Sequence, residues 1–362
     1  MTVTLPAEWA PQSCIQLTWP RSDGDFAPWF PRVEACFRAL AVAITRYQPL
    51  LIATPGDAAT LTAQLVEAGV AADRLRVVPV QANDVWARDH GPITVFREGR
   101  RLHLDFTFNG WGGKFDARLD NTVTQQLAAA GALPAAVETL DFVLEGGGIE
   151  SDGQGTLLTT ERCLLAPTRN PKLSRNVIEQ KLAHWFGLNR ILWLKHGDLL
   201  GDDTDGHIDT LARFCDPQTI AYQACNERDD PHYEDLAAMA AELRAFKQVN
   251  GTPYRLIPLP MAPVIVDEDG RRLPAGYANF LILNGAVLVP TYGDERKDIA
   301  KNLIDFDKEW STLMAKPTSE LGDPNEVVEF YTKTAEFPAG FMTEYQPSLL
   351  TTDGTGQELA TG

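Results

Sequence analysis

Short apolar runs alternate with amphipathic stretches along this chain. Runs rich in Val, Ile, Leu and aromatic residues, bounded by Gly, Pro, Asn or Asp, predict strands at residues 14–19, 50–53, 75–79, 93–96, 102–106, 155–160, 163–166, 190–194, 208–214, 219–222, 255–258, 279–283 and 286–290. Between them, apolar positions three and four apart predict helices at 31–46, 57–68, 121–130, 175–186, 233–246 and 295–305. Strands interleaved with helices in this way imply an α/β architecture.

The pattern also repeats. Four times a polar or Gly-rich leader runs into two short strands around a tight turn, beginning at Trp86, Glu145, Gly206 and Tyr277. The last of these turns is Asn284-Gly285, a strong hairpin signal. One structural unit used repeatedly would bring its leaders to a common axis, placing Asp89, Glu145, His207, Asp209 and Asn279 in a single pocket. No long Pro, Ser or Gly linker divides residues 1–293, which read as one domain. Residues 294–362 are of different character, with a candidate closing strand at 326–331.

The densest chemistry lies in Gly201-Asp-Asp-Thr-Asp-Gly-His-Ile-Asp209, four carboxylates and one histidine beside an apolar run. So much like charge next to a core strand requires a cation against it. If the segment enters a strand, His207 and Asp209 project on one face while Ile208 points inward. Three readings compete: a metal site, a cation-binding catalytic site, and a solvated Asp-rich turn. A second leader, Asn83-Asp84-Val85-Trp86-Ala87-Arg88-Asp89-His90-Gly91-Pro92, sets a carboxylate and an aromatic at the mouth of another strand. Asn109-Gly-Trp-Gly-Gly-Lys114 and Gly146-Gly-Gly148 fail the spacing of phosphate-binding motifs and read as glycine loops of close approach, with Trp111 lining a pocket.

Lys and Arg total 32 against 49 Asp and Glu, a formal charge of -17, which repels nucleic acid and anionic membranes. Cys14, Cys36, Cys163, Cys215 and Cys225 are scattered, without a Cys-x-x-Cys pair, as expected of reduced thiols in a cytoplasmic protein. Residues 1–20 lack the basic and apolar regions of a signal peptide, and no apolar run has the length of a membrane span.

Trp86-x-Arg88-Asp89-x-Gly91-Pro92, Phe108-Asn109-x-Trp111-Gly-Gly-Lys114, Leu144-Glu145-Gly-Gly147, Leu158-Thr-Thr-Glu161-x-Cys163-Leu164, Arg169-Asn170-Pro171, Gly206-His207-x-Asp209 and Tyr277-x-Asn279-Phe280 follow in order. Together they resemble the agmatine deiminase family and its relatives, the bacterial-type peptidylarginine deiminases. The resemblance runs from about residue 5 to about residue 293. It implies a pentein fold, a five-bladed α/β propeller with the active site on its axis. The implied reaction is agmatine plus water giving N-carbamoylputrescine plus ammonia, a step toward putrescine and polyamines, with no metal and no cofactor. It implies that Asp89 and Asp209 grip the guanidinium and that His207 shuttles protons. Glu145 and Asp203 would sit nearer the distal ammonium, Trp86 and Trp111 against the methylene chain, and Asn279 at the pocket.

The family attacks with a cysteine near its carboxyl end, whereas no cysteine follows Cys225 here, so the nucleophile is unassigned. The partner expected is a small cationic guanidine, with a homodimer left open as the assembly. Beside the deiminase stand a guanidine-binding relative without turnover, a peptidylarginine deiminase, and a metal hydrolase built on Asp202, Asp203, Asp205, His207 and Asp209.

Overall fold

The computed structural model describes residues 2–290. The helix expected at 295–305 and the candidate strand at 326–331 lie outside the described residues. Among those residues the strands form five sheets. Three are built alike: two strands joined by a tight connection pair antiparallel, a helix follows, and a third strand returns parallel to the second. In the first, Ile93–Arg97 pairs with Arg100–Thr107, and helix Val123–Ala129 leads to Ala136–Val143. Glu150–Ser151, Thr156–Thr160, helix Arg175–Phe186 and Arg190–Leu194 make the second. Ala212–Asp216, Thr219–Gln223, helix Tyr233–Ala245 and Arg255–Leu259 make the third. A fourth sheet is all parallel, Ile15–Thr18, Leu50–Thr54 and Leu75–Pro79, its crossovers carrying helices Phe30–Tyr47 and Ala58–Glu67. The fifth is the hairpin of Leu281–Leu283 and Ala286–Leu288. The molecule is therefore α/β.

Local sequence accounts for these elements. Helix Ala58–Glu67 starts where the Asp57 carboxylate accepts the Thr60 N–H at 2.6 Å, and it buries Leu61 and Leu65, one turn apart. Helix Arg175–Phe186 buries Ile178, Leu182, Trp185 and Phe186 on one stripe. It stops at Gly187, where φ is +69° and a Cβ would stand 1.9 Å from the Val3 carbonyl oxygen, so only glycine fits. Thr156–Thr160, paired on both edges, is buried at every position.

The two ends of the described chain meet. The Asn284 side chain accepts the Gln12 N–H at 2.9 Å and donates to the Gln12 carbonyl at 2.7 Å, while its own N–H donates to Gln48 Oε1 at 2.7 Å. Leu283 completes a core cluster with Trp19, Ile44, Leu50 and Ile52.

Several expected elements are corrected. Residues 163–166 do not form a strand: the Thr160 hydroxyl accepts the Cys163 N–H at 3.2 Å and starts the helical turn Glu161–Leu164. Residues 208–214 are not one strand, since Ile208–Thr210 is a 3-10 turn and the strand begins at Ala212. Strand Ala136–Val143 was absent from the expectation because its outward Glu138 and Asp141 blur the apolar alternation. All five cysteines are free thiols. No helix among the described residues is long and apolar enough to cross a membrane.

Candidate active site

Asp89 rides on the helical turn Ala87–His90, held by a reciprocal clasp just before it. Asp120 Oδ1 accepts the Asn83 and Asp84 N–H groups at 2.7 and 3.1 Å, and Asn83 Oδ1 accepts the Leu119 N–H at 2.8 Å. The Asp89 carboxylate is buried. Its Oδ2 accepts the Trp111 indole N–H at 3.0 Å and its Oδ1 accepts the Gly147 backbone N–H, also at 3.0 Å. Trp111 reaches it from a left-handed backbone, φ +54°, between Gly110 and Gly112, both at positive φ. A side chain in that region stores strain of about 1–3 kcal/mol, which the hydrogen bond to Asp89 and the surrounding rings offset.

The glycine loop is the floor of the site. A Cβ on Gly147 would stand 2.6 Å from His207 Nδ1, 2.7 Å from Asp89 Oδ1 and 2.8 Å from Asp209 Oδ2. Three functional groups from two distant leaders thus converge on one missing side chain. His207 and Asp209 reach this point through the 3-10 turn rather than by strand alternation; both remain buried, as does Ile208 between them. Their loop is internally braced. Asp202 accepts the N–H groups of Thr204 and Gly206 at 3.0 and 2.6 Å, Thr204 Oγ1 accepts the His207 N–H at 3.1 Å, and Thr160 Oγ1 donates to the Gly206 carbonyl at 2.7 Å.

Burial alone would push His207 down, but Asp89 at 3.6 Å, the Cys163 sulfur and Asp209 together hold its pKa up at about 10. Burial pushes Asp209 up, against the pull of His207. Asp209 Oδ1 has no hydrogen-bond partner among the described residues, so a buried acceptor faces a buried imidazolium with capacity to spare. Because the folded pKa of His207 lies above its ordinary 6.5, its protonated form stabilises the fold fully below about pH 6.5 and loses that contribution as pH rises through about 10. In denaturant unfolding, the stability advantage of wild type over His207→Gln is expected to shrink between about pH 7 and about pH 10.5. An advantage that stays flat across that window contradicts the charged imidazolium.

Of the other residues anticipated from sequence, Trp111 belongs to the cluster and Trp86 stands against it, 6.3 Å between ring centroids. Glu145 is fully buried but has its own cation: Arg169 Nε donates to both carboxylate oxygens at 3.0 Å, so it is not free to hold a distal ammonium. Asp203 is exposed, its carbonyl accepting Lys114 Nζ at 2.7 Å. Asn279 is exposed and lies outside the buried group.

Sequence reasoning missed Arg169 and Asp205, which pair at 2.7 Å, and the Lys114–Asp205 pair at 2.6 Å. These are the cations that the acid-rich segment required. The Arg169-Asn170-Pro171 motif and Lys114 at the end of the glycine loop were the available signals. Cys163, expected in a strand, instead sits buried beside His207. A Cβ on Gly148 would touch its sulfur at 3.2 Å and His207 Cδ2 at 3.9 Å.

Ligating atoms of Glu145, Cys163 and His207 lie within 4.8 Å of one another, a spacing that could hold a metal. Arg169 occupies Glu145, however, and His207 is held protonated, so a dication there would have to displace two positive charges. The metal hydrolase expectation fails as well, because Asp202 is spent on backbone N–H groups and Asp205 on Lys114 and Arg169.

Residues 4–305 match the family described as Porphyromonas-type peptidyl-arginine deiminase. The chain is 35% identical to the agmatine deiminase of Stutzerimonas stutzeri over 326 residues, covering 83% of this chain and 86% of that one. It is 33% identical to the agmatine deiminase of Medicago truncatula, covering 81% and 85%. Among solved structures it is similar to a Cys-to-Ser variant of the C. jejuni agmatine deiminase with substrate bound. There the TM-score is 0.75 and the identity 36%, with coverage of 82% of this chain and 85% of that one.

Proposed function

Because the chain belongs to the Porphyromonas-type peptidyl-arginine deiminase family, we propose that it hydrolyses a guanidinium C–N bond, converting agmatine and water to N-carbamoylputrescine and ammonia. The observation that carries this reading is the convergence of Asp89, His207 and Asp209 on the Gly147 floor. A guanidinium is a flat, resonance-stabilised cation whose carbon resists attack. Two buried carboxylates fix its N–H groups and, with water excluded, their field acts at full strength. Each Asp89 oxygen already takes one protein donor and keeps a second lone pair for the ligand, while Asp209 Oδ1 is wholly available. His207, protonated through the neutral range, donates its proton to departing ammonia and regains one from attacking water.

The repeated strand, strand, helix, strand units and the Asn284 latch support arranging the five sheets as blades of a five-bladed α/β propeller, with the site on its axis.

A second reading, guanidine binding without turnover, is favoured by one observation. No cysteine follows Cys225 in the sequence, and Cys163 lies beside His207 with its thiol pushed up by burial, a poor state for a nucleophile. Calorimetry with agmatine and with an arginine-containing peptide, run beside an ammonia assay, tests both readings. Agmatine binding with ammonia release supports the deiminase, and binding alone supports the second reading. Preference for the peptide would make the activity peptidylarginine deimination, and binding of neither ligand rejects the guanidine site.

A further inference from the structure

Trp111 is the centre of a set of rings running from the buried Asp89 carboxylate to the surface. Phe108, Phe115 and Trp86 meet it at 5.0, 5.5 and 6.3 Å between centroids, each edge-to-face. Phe26 extends the set beyond Trp86 at 6.3 Å. Phe108 and Trp111 are buried, but Trp86 and Phe115 are each 44% exposed. Two large rings left open to water, both packed on the indole that hydrogen-bonds Asp89, are costly unless a ligand uses them.

The charge around these rings is acidic. The Trp86 indole N–H donates to Asp84 at 2.9 Å. Next to Phe115, Lys114 spends its ammonium on Asp205 and on the Asp203 carbonyl, which leaves the exposed Asp203 carboxylate on that side without this cation. Exposed aromatic faces beside carboxylates suit an alkylammonium group, which each ring attracts through its quadrupole and each acid through its charge. Glu145, the other acid anticipated for that role, is already neutralised by Arg169.

The geometry points to Phe115 as a specificity-determining residue: with Trp86 it forms an aromatic rim that takes the distal ammonium of the substrate, with Asp203 as counter-charge. The site therefore selects a guanidine bearing a free amine at its far end over one ending in an alkyl group or a peptide. This inference rests on the guanidine reading of the inner site.

Calorimetry on the full chain tests it with agmatine, with pentylguanidine, in which a methyl group replaces the ammonium, and with methylguanidine. Wild type is expected to bind agmatine roughly tenfold tighter than pentylguanidine. Phe115→Leu, which keeps apolar volume without a ring, is expected to erase most of that preference while leaving methylguanidine binding intact. Phe115→Tyr is expected to retain it, and circular dichroism checks that both variants are folded. An unchanged preference in Phe115→Leu, equal weakening of all three ligands, or no preference in wild type overturns the inference while the inner site stands. Failure of wild type to bind methylguanidine and agmatine at all removes the inner site, and this rim with it.

Discussion

Gly147→Ala is expected to weaken agmatine binding by roughly 100-fold or more while the protein stays folded. The added methyl would lie 2.6–2.8 Å from His207 Nδ1, Asp89 Oδ1 and Asp209 Oδ2, closer than any real Cβ contact. All three atoms are ends of side chains, so the clash is relieved by turning them away rather than by moving backbone. The fold loses little. The site loses the geometry that holds a planar cation between two carboxylates, and displacements of about 1 Å are enough for losses of that order. Gly148→Ala is the matched control: its methyl would meet the Cys163 sulfur at 3.2 Å and no carboxylate. Calorimetry on both variants, with melting curves alongside, decides the matter. Agmatine affinity in Gly147→Ala within about threefold of wild type would falsify the convergent site.

The second large effect is on stability. Arg169→Met is expected to cost about 3–5 kcal/mol, because it leaves Glu145 charged, buried and unpaired. The guanidinium makes four kinds of contact at once: both Glu145 oxygens at 3.0 Å, Asp205 at 2.7 Å and the Thr204 carbonyl at 2.8 Å. Its loss therefore also releases the 202–206 loop that leads into His207. Adding Glu145→Gln to Arg169→Met is expected to restore part of the loss, since the stranded charge goes with it. Urea unfolding of the single and double variants measures this. A cost below about 1 kcal/mol for Arg169→Met, or a double variant no better than the single, removes the buried pair from its structural role.

What could be read from the chain and what could not divide along physical lines. Helix Arg175–Phe186 was legible to the residue because its apolar stripe and its stop at Gly187 are both local properties. Asp89, His207 and Asp209 were legible as site residues because carboxylate and imidazole at the mouth of an apolar run are rare without a task. The route by which His207 and Asp209 share a cavity was misjudged. A spacing of two fits both a strand and a 3-10 turn followed by a bend, and the backbone hydrogen bonds that decide between them are contributed by Thr204 and Thr160. Glu145 was correctly placed in the interior and wrongly given a ligand. Its partner Arg169 lies 24 residues away, and nothing in the local pattern states which buried acid an arginine will meet. Asn279 failed for a related reason: the order of motifs gave its neighbourhood, but not which of Tyr277, Ala278 and Asn279 faces inward.

Arrays of repeated units usually come apart from a terminal module, because that module has a neighbour on one side only. The hydrogen bonds of Asn284 to Gln12 and Gln48, with Leu283 set into the same core as Trp19 and Leu50, give the first and last described sheets neighbours on both sides. Unravelling then has no loose end to begin from. It must start by prying open an interior joint, so the modules are lost together and an inner cavity shaped by several of them persists until the whole assembly melts.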